Sequence, residues 1–224
     1  MRSELIFSGR SNMLRENQNQ NLKISLDKSN LQDFFLINGS NFFTDRISNS
    51  DLMVNSNDFY MIINTGKQSL KVNYNQDISD HTIIYNPYKY EHSEKINFKE
   101  EFFKQNYAIP KGYIDTLPKW YSFKFTYPDY NLIFIRPEMG LSIQKHRYRN
   151  ETWEILAGNP IILNGNKIYY FVEKGRIFKN LKETYHSIIN PNTDSNNFVI
   201  LKEKWSGHFD EDDIERVFNP NKYE

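Results

Sequence analysis

Between Tyr121 and Trp205 the chain is cut into short apolar or alternating runs, and that segmentation points to a jelly roll or a small barrel. The runs cover 121–125, 131–136, 142–144, 153–157, 160–163, 167–172, 186–190 and 198–205. Between them stand Glu138-Met139-Gly140, Asn164-Gly165-Asn166 and 190–194, all rich in residues that accept positive φ or preset a bend. Asn164-Gly165 between alternating runs is a strong hairpin signal. Composition agrees: aromatics make up 16% of the chain, with 15 Tyr and 17 Phe, so burial rests on rings and β-branched residues that favour strands.

The first half carries the same punctuation. Runs at 22–26, 34–37, 59–63, 70–74 and 82–85 are separated by Asn, Asp, Ser and Gly. Residues 1–21 have no hydrophobic period and are expected to form an arm. Apolar residues at Phe98, Phe102 and Phe103 suit one face of a short helix over 97–104, and 108–112 with Leu117-Pro118 reads as a linker. The expected division is therefore an arm at 1–21, a β-rich domain at 22–112 and a second domain at 113–224. The halves share a pattern: 59–66 resembles 151–158, and each is followed at similar distance by a lone histidine, His92 or His186. A divergent repeat is expected, with Val54 and Phe59 in the first copy where His146 and Glu151 stand in the second.

Lys+Arg and Asp+Glu both number 28, so there is no broad basic field to attract nucleic acid or an anionic membrane. The absence of cysteine excludes disulfides, thiolate ligands and a cysteine nucleophile. The first 15 residues hold no apolar run long enough for a signal peptide or spanning helix. These features predict a soluble cytoplasmic protein with neither a nucleic-acid nor a membrane partner.

One segment concentrates the chemistry. In 141–153, alternation places Gln144, His146 and Tyr148 on one face of an extended strand, and a turn brings Glu151 round. With His186 from a distant strand, two imidazoles, a carboxylate and an amide oxygen form a mixed N/O set. Such a set suits a divalent metal: zinc first, with manganese, iron, cobalt or nickel as alternatives. Taken singly, Gln144 reads as a surface residue, each histidine as a hydrogen-bonded bystander and Glu151 as a partner of Arg149.

The spacing resembles the first cupin motif, and residues 120–218 resemble the cupin domain of type II mannose-6-phosphate isomerases. The resemblance rests on Trp120-Tyr121, Arg136-Pro137-Glu138-Met139-Gly140, then Gln144, His146, Arg149, Glu151 and Trp153, and Ala157-Gly158. It continues through His186 with Asn190-Pro191 and the acidic stretch 206–216. It implies an all-β cupin, a double-stranded β-helix or jelly-roll barrel, for this segment; the repeat pattern extends the expectation to a bicupin with a degenerate N-terminal barrel. It also implies metal ligation by Gln144, His146, Glu151 and His186. Three departures stand out: Tyr148 replaces a histidine, Asn180-Leu181-Lys182-Glu183 replaces Ile-Pro-x-Gly, and Ser187 replaces an arginine suited to phosphate.

The function these features predict is a metal-dependent aldose–ketose isomerase acting on a small-molecule sugar or sugar phosphate. Arg149 is the expected substrate anchor and Tyr148 the expected proton donor, or else a ring packed in the barrel mouth. The alternative is a non-catalytic carbohydrate-binding or scaffolding cupin; an epimerase or oxygenase is a third reading. A homodimer is expected from fold analogy.

Overall fold

The computed structural model describes residues 2–26, 33–45, 47–97, 99–100, 102, 109–208 and 213–223. The chain divides into two compact units, Met1–Pro87 with Asn166–Ile168, and Tyr88–Gly165 with Tyr169–Glu224. All strand pairings in both units are antiparallel among the described residues.

The first unit contains β1 (Ser3–Ile6), β2 (Leu14–Glu16), β3 (Leu22–Ser25), β4 (Phe34–Asn38), β5 (Asn41–Phe43), β6 (Met53–Val54), β7 (Phe59–Asn64), β8 (Leu70–Tyr74) and β9 (Thr82–Tyr85). One sheet runs β1-β8-β3-β6; β5, β4, β7, β2 and β9 are successive neighbours in another. Ile6, Leu22, Val54 and Val72 from the first sheet meet Phe34, Leu36, Tyr60 and Ile62 from the second in one buried cluster. Two sheets closing on one core give a β sandwich.

The arm expected at 1–21 is in fact structured, since it supplies β1 and β2. Its inward and outward residues invert the usual pattern, which is why periodicity does not reveal it. Glu4 turns partly inward to meet the Tyr74 hydroxyl and Asn12, whereas Leu5 is 54% exposed. His81 is buried and paired with the Tyr60 hydroxyl at 2.9 Å; burial, with Arg15 adding to it, lowers its pKa. Val54, expected to correspond to His146, is wholly buried.

The second unit contains β10 (Asp115–Pro118), β11 (Ser122–Thr126), β12 (Asn131–Ile135), β13 (Met139–Gly140), β14 (Ile143–His146), β15 (Arg149–Ala157) and β16 (Ile161–Asn164). After β17 (Lys167–Tyr169), which falls mostly in the first unit, come β18 (Ile177–Asn180), β19 (His186–Asn190), β20 (Val199–Gly207) and β21 (Ile214–Phe218). One sheet runs β10-β11-β12-β20-β15-β18; in the other β21, β14, β19 and β16 are successive neighbours and β13 also pairs with β19. Ile133, Trp153, Ile155 and Leu201 pack from the first sheet against Ile162 and Ile188 from the second. This curled two-sheet barrel is a cupin fold.

The boundary between units falls after Pro87 and not at 112. Two anchors draw the intervening segment into the second unit. Tyr90 donates to Glu138 at 2.8 Å and packs on the barrel core, and Phe102 is wholly buried, stacked on Phe123 with centroids 5.2 Å apart. The helix expected over 97–104 lies largely outside the described residues, as does all of 209–212 in the acidic stretch.

Candidate metal centre

Three strands deliver the site. β15 alternates so that Arg149, Glu151, Trp153 and Ile155 point inward. β14 carries Gln144 and His146, and β19 opens on His186 directly opposite Gln144 in register. His146, Glu151 and His186 each offer a ligand atom lying within 4.8 Å of the others, and all three are buried. Gln144 lines the cavity of about 380 Å³ beside them, its Oε1 accepting from Ser142 Oγ at 2.8 Å.

The polar contacts are dense. His146 Nε2 stands 3.0 Å from Glu151 Oε1, and its Nδ1 3.0 Å from Asp213 Oδ1. Arg149 donates from Nε to Glu151 Oε1 at 3.1 Å and from Nη1 to Asp213 Oδ1 at 2.7 Å. Trp153 Nε1 donates to Glu151 Oε2 at 3.1 Å. His186 Nδ1 lies 3.1 Å from the Thr184 carbonyl, which leaves its Nε2 3.6 Å from Glu151 Oε2 and without a hydrogen-bond partner.

These contacts set the charge states. Burial opposes ionisation of Glu151, but the contact with His146 and the proximity of His186 and Arg149 outweigh it and hold the carboxyl below its usual range. Burial dominates at His186, where the pKa falls to about 4, so the imidazole is neutral near pH 7. Glu203, on β20 in the same cavity, goes the other way: burial and the nearby Glu151 push it up to about 7.

The donor set fits a metal. A neutral imidazole whose Nδ1 hydrogen is held by a carbonyl presents its Nε2 lone pair toward an ionised carboxylate, the arrangement a divalent cation requires of its ligands. Buried and unpartnered, that lone pair is costly without a cation to accept it.

The other anticipated residues fall differently. Alternation stops at His146, where the chain bends, so Tyr148 is 56% exposed and outside the cavity lining. Arg149 is 5% exposed and does reach the cavity, yet its guanidinium is engaged by Glu151 and Asp213. Lys145 pairs with Glu183 and Glu215. Ser187, standing for an arginine, is buried and donates to the Leu141 carbonyl at 2.9 Å. Asp213 and Glu203 were not anticipated: the first sits in an acidic run that reads as solvated, the second between two lysines.

Glu183 occupies the place where the resembling family has glycine, and its φ is 61°. Its N–H donates to the His146 carbonyl at 2.7 Å, so the left-handed turn bears on a metal-site strand. Glu183→Gly is expected to stabilise the protein by up to ~1 kcal/mol, since a side chain in that region costs 1–2 kcal/mol and glycine's added unfolded-state entropy offsets part of the gain. A chemical denaturation midpoint below that of the wild type would contradict it.

Residues 99–219 match the family model described as mannose-6-phosphate isomerase C-terminal. No curated protein matches the sequence. Among solved structures, a protein from Planctomyces limnophilus is 13% identical, with 48% of this chain and 96% of that one covered and a TM-score of 0.35. The Streptomyces nucleoside dehydratase Pac13 is 10% identical over 50% of this chain and 93% of its own, with a TM-score of 0.37. A cupin-2 domain protein from Shewanella frigidimarina is 14% identical over 50% and 94%, with a TM-score of 0.29.

Proposed function

The chain belongs to the mannose-6-phosphate isomerase C-terminal family, and from that premise we propose that it is a metal-dependent aldose–ketose isomerase acting on a sugar or sugar phosphate. The observation that carries the metal is the unpartnered Nε2 of His186 facing Glu151 beside His146. His146, Glu151 and His186 would hold the ion, with the remaining lone pair of Gln144 Oε1 as a fourth donor. Bound there, the ion supplies Lewis acidity that polarises a substrate oxygen; zinc suits the donor set best.

The chain's own residues do the rest. Arg149 braces Glu151 and Asp213, a positioning role in place of the anchoring one expected of it. Lys119, Lys124 and Arg216 line the cavity and offer the charge that an anionic substituent needs. That supply compensates for the arginine replaced by Ser187. The tied-up Arg149 and exposed Tyr148 favour, as a second reading, a cupin that binds sugar without turnover.

The test is interconversion of mannose 6-phosphate with its ketose. Activity should vanish on chelation and return with zinc or manganese. Retained sugar binding without turnover by the metal-loaded protein would establish the binding module instead.

The site also has an expected pH dependence. The lone pair of His186 is available above its lowered pKa and is taken by a proton as the pH falls through it. Metal content after dialysis at stepped pH should therefore persist below the ordinary imidazole value of about 6.5 and fall only near or below a pH of about 4. Release already at 6.5 would contradict the burial of this imidazole.

A further inference from the structure

In the cavity lined by Gln144 and Glu151 lies a second polar pair, Glu203 and Asn131, outside the candidate donor set. Glu203 on β20 is in register with Trp153 on β15 and with Asn131 on β12. Partners in register face the same side of a sheet, so Glu203 stands diagonally from Glu151, which pairs with Trp205. Both carboxylates line the same cavity.

The surroundings of the two differ. Glu151 is met by His146, Arg149 and Trp153. Among the described residues, Glu203 receives one hydrogen bond, from Asn131 Nδ2 at 2.9 Å, and no cation pairs with it. Asn131 is 3% exposed, and its other polar atom, Oδ1, has no hydrogen-bond partner at all. A carboxyl and an amide held together only for stability would be a poor device, because an amide carbonyl left unmatched costs free energy when buried. Facing the cavity, the half-buried Glu203 carboxylate is placed to take and return a proton, with the buried Asn131 holding it from behind through Nδ2.

We infer that Glu203 is the general base and acid of this site, positioned by Asn131 Nδ2; the inference rests on the isomerase reading above. The carboxylate takes the proton from C2 of the aldose, and the C–H electron pair becomes the C1=C2 bond as the C1=O1 π pair moves onto O1, giving an enediolate. The hydroxyl proton moves from O2 to O1. Glu203 then returns its proton to C1, the O1 hydroxyl remains and O2 becomes the ketone oxygen. The two protons change places, no other reactant is consumed, and the carboxylate is regenerated. Because one carboxylate serves both carbons from one face, the transferred proton can exchange with solvent while it resides on Glu203.

The experiment uses the full chain loaded with zinc and mannose 6-phosphate in D2O, comparing wild type with Glu203→Gln and Glu203→Asp. Glu203→Gln keeps the side chain's shape and is expected to lower kcat by ~100-fold or more, the usual contribution of a positioned acid–base group. KM and zinc content should be little changed, and deuterium incorporation into sugar should fall with kcat. Glu203→Asp, which keeps the chemistry but shortens the reach, should recover part of both. Glu203→Gln turning over at more than a tenth of the wild-type rate overturns the assignment and leaves the isomerase reading standing. A zinc-loaded wild type that neither interconverts the sugar nor exchanges deuterium overturns the isomerase reading, and the role of Glu203 with it. Loss of zinc from Glu203→Gln together with activity would make Glu203 part of the metal site and would likewise overturn its assignment as base.

Discussion

Purified protein is expected to carry about one divalent metal ion per chain, and the His146→Ala, His186→Ala double variant to carry none, with its β structure intact. Both imidazoles are about 1% exposed and both reach Glu151, so no bulk solvent competes for the positions they leave. Replacing an imidazole by methyl removes a ligand outright, and with two gone, Glu151 and Gln144 alone are too few donors to hold a first-row ion. Single variants should fall between, with His186→Ala the cleaner because its Nε2 makes no other hydrogen bond. Elemental analysis after metal loading measures this. Equal metal in wild type and double variant would remove the site; none in either, after loading, would leave a barrel without metal chemistry.

The second large effect is expected at Asp213. Its carboxylate is 3.0 Å from His146 Nδ1 and 2.7 Å from Arg149 Nη1, and the residue is 2% exposed. Asp213→Ala leaves a buried guanidinium short of one counter-charge and frees the His146 ring to rotate. Breaking one partner of a buried ion pair costs about 3–5 kcal/mol, which for a chain of this size lowers Tm by roughly 6–20 °C. Because the partner on the far ring nitrogen orients a ligand, metal affinity should also fall about 10–100-fold. Thermal unfolding and metal titration read the two effects separately. Replacing both charges with apolar residues, in Asp213→Leu with Arg149→Met, should recover part of the stability and none of the affinity. A single variant as stable as wild type would mean that Glu151 alone compensates Arg149.

Within this family, the donors Gln144, His146 and Glu151 are readable from the chain because they lie within a single strand–turn–strand segment. The strand period puts the first two on one face. That reasoning carried Tyr148 along with them, and there it failed: the bend after His146 ends the alternation and turns the ring to solvent. Strand positions in the second half were similarly legible wherever apolar residues alternated. β1 escaped notice because Glu4 turns inward and Leu5 outward. The same unmarked chemistry hid Glu203, whose neighbours Lys202 and Lys204 make it look solvated although its strand turns it toward the cavity.

Sequence alone determined the fold class and singled out the candidate donors, because alternation, turn residues and ligand chemistry are local properties of the chain. Tertiary structure decided which acids become a site. Asp213 reaches His146 only because β21 pairs with β14, bringing two segments 67 residues apart into one sheet. Glu203 shares a cavity with Glu151 only because β20 pairs with β15. Strand order is set by the joint burial of residues distant in sequence, and the desolvation that moves His186 and Glu203 in opposite senses, destabilising whichever form is charged, exists only after those strands have closed.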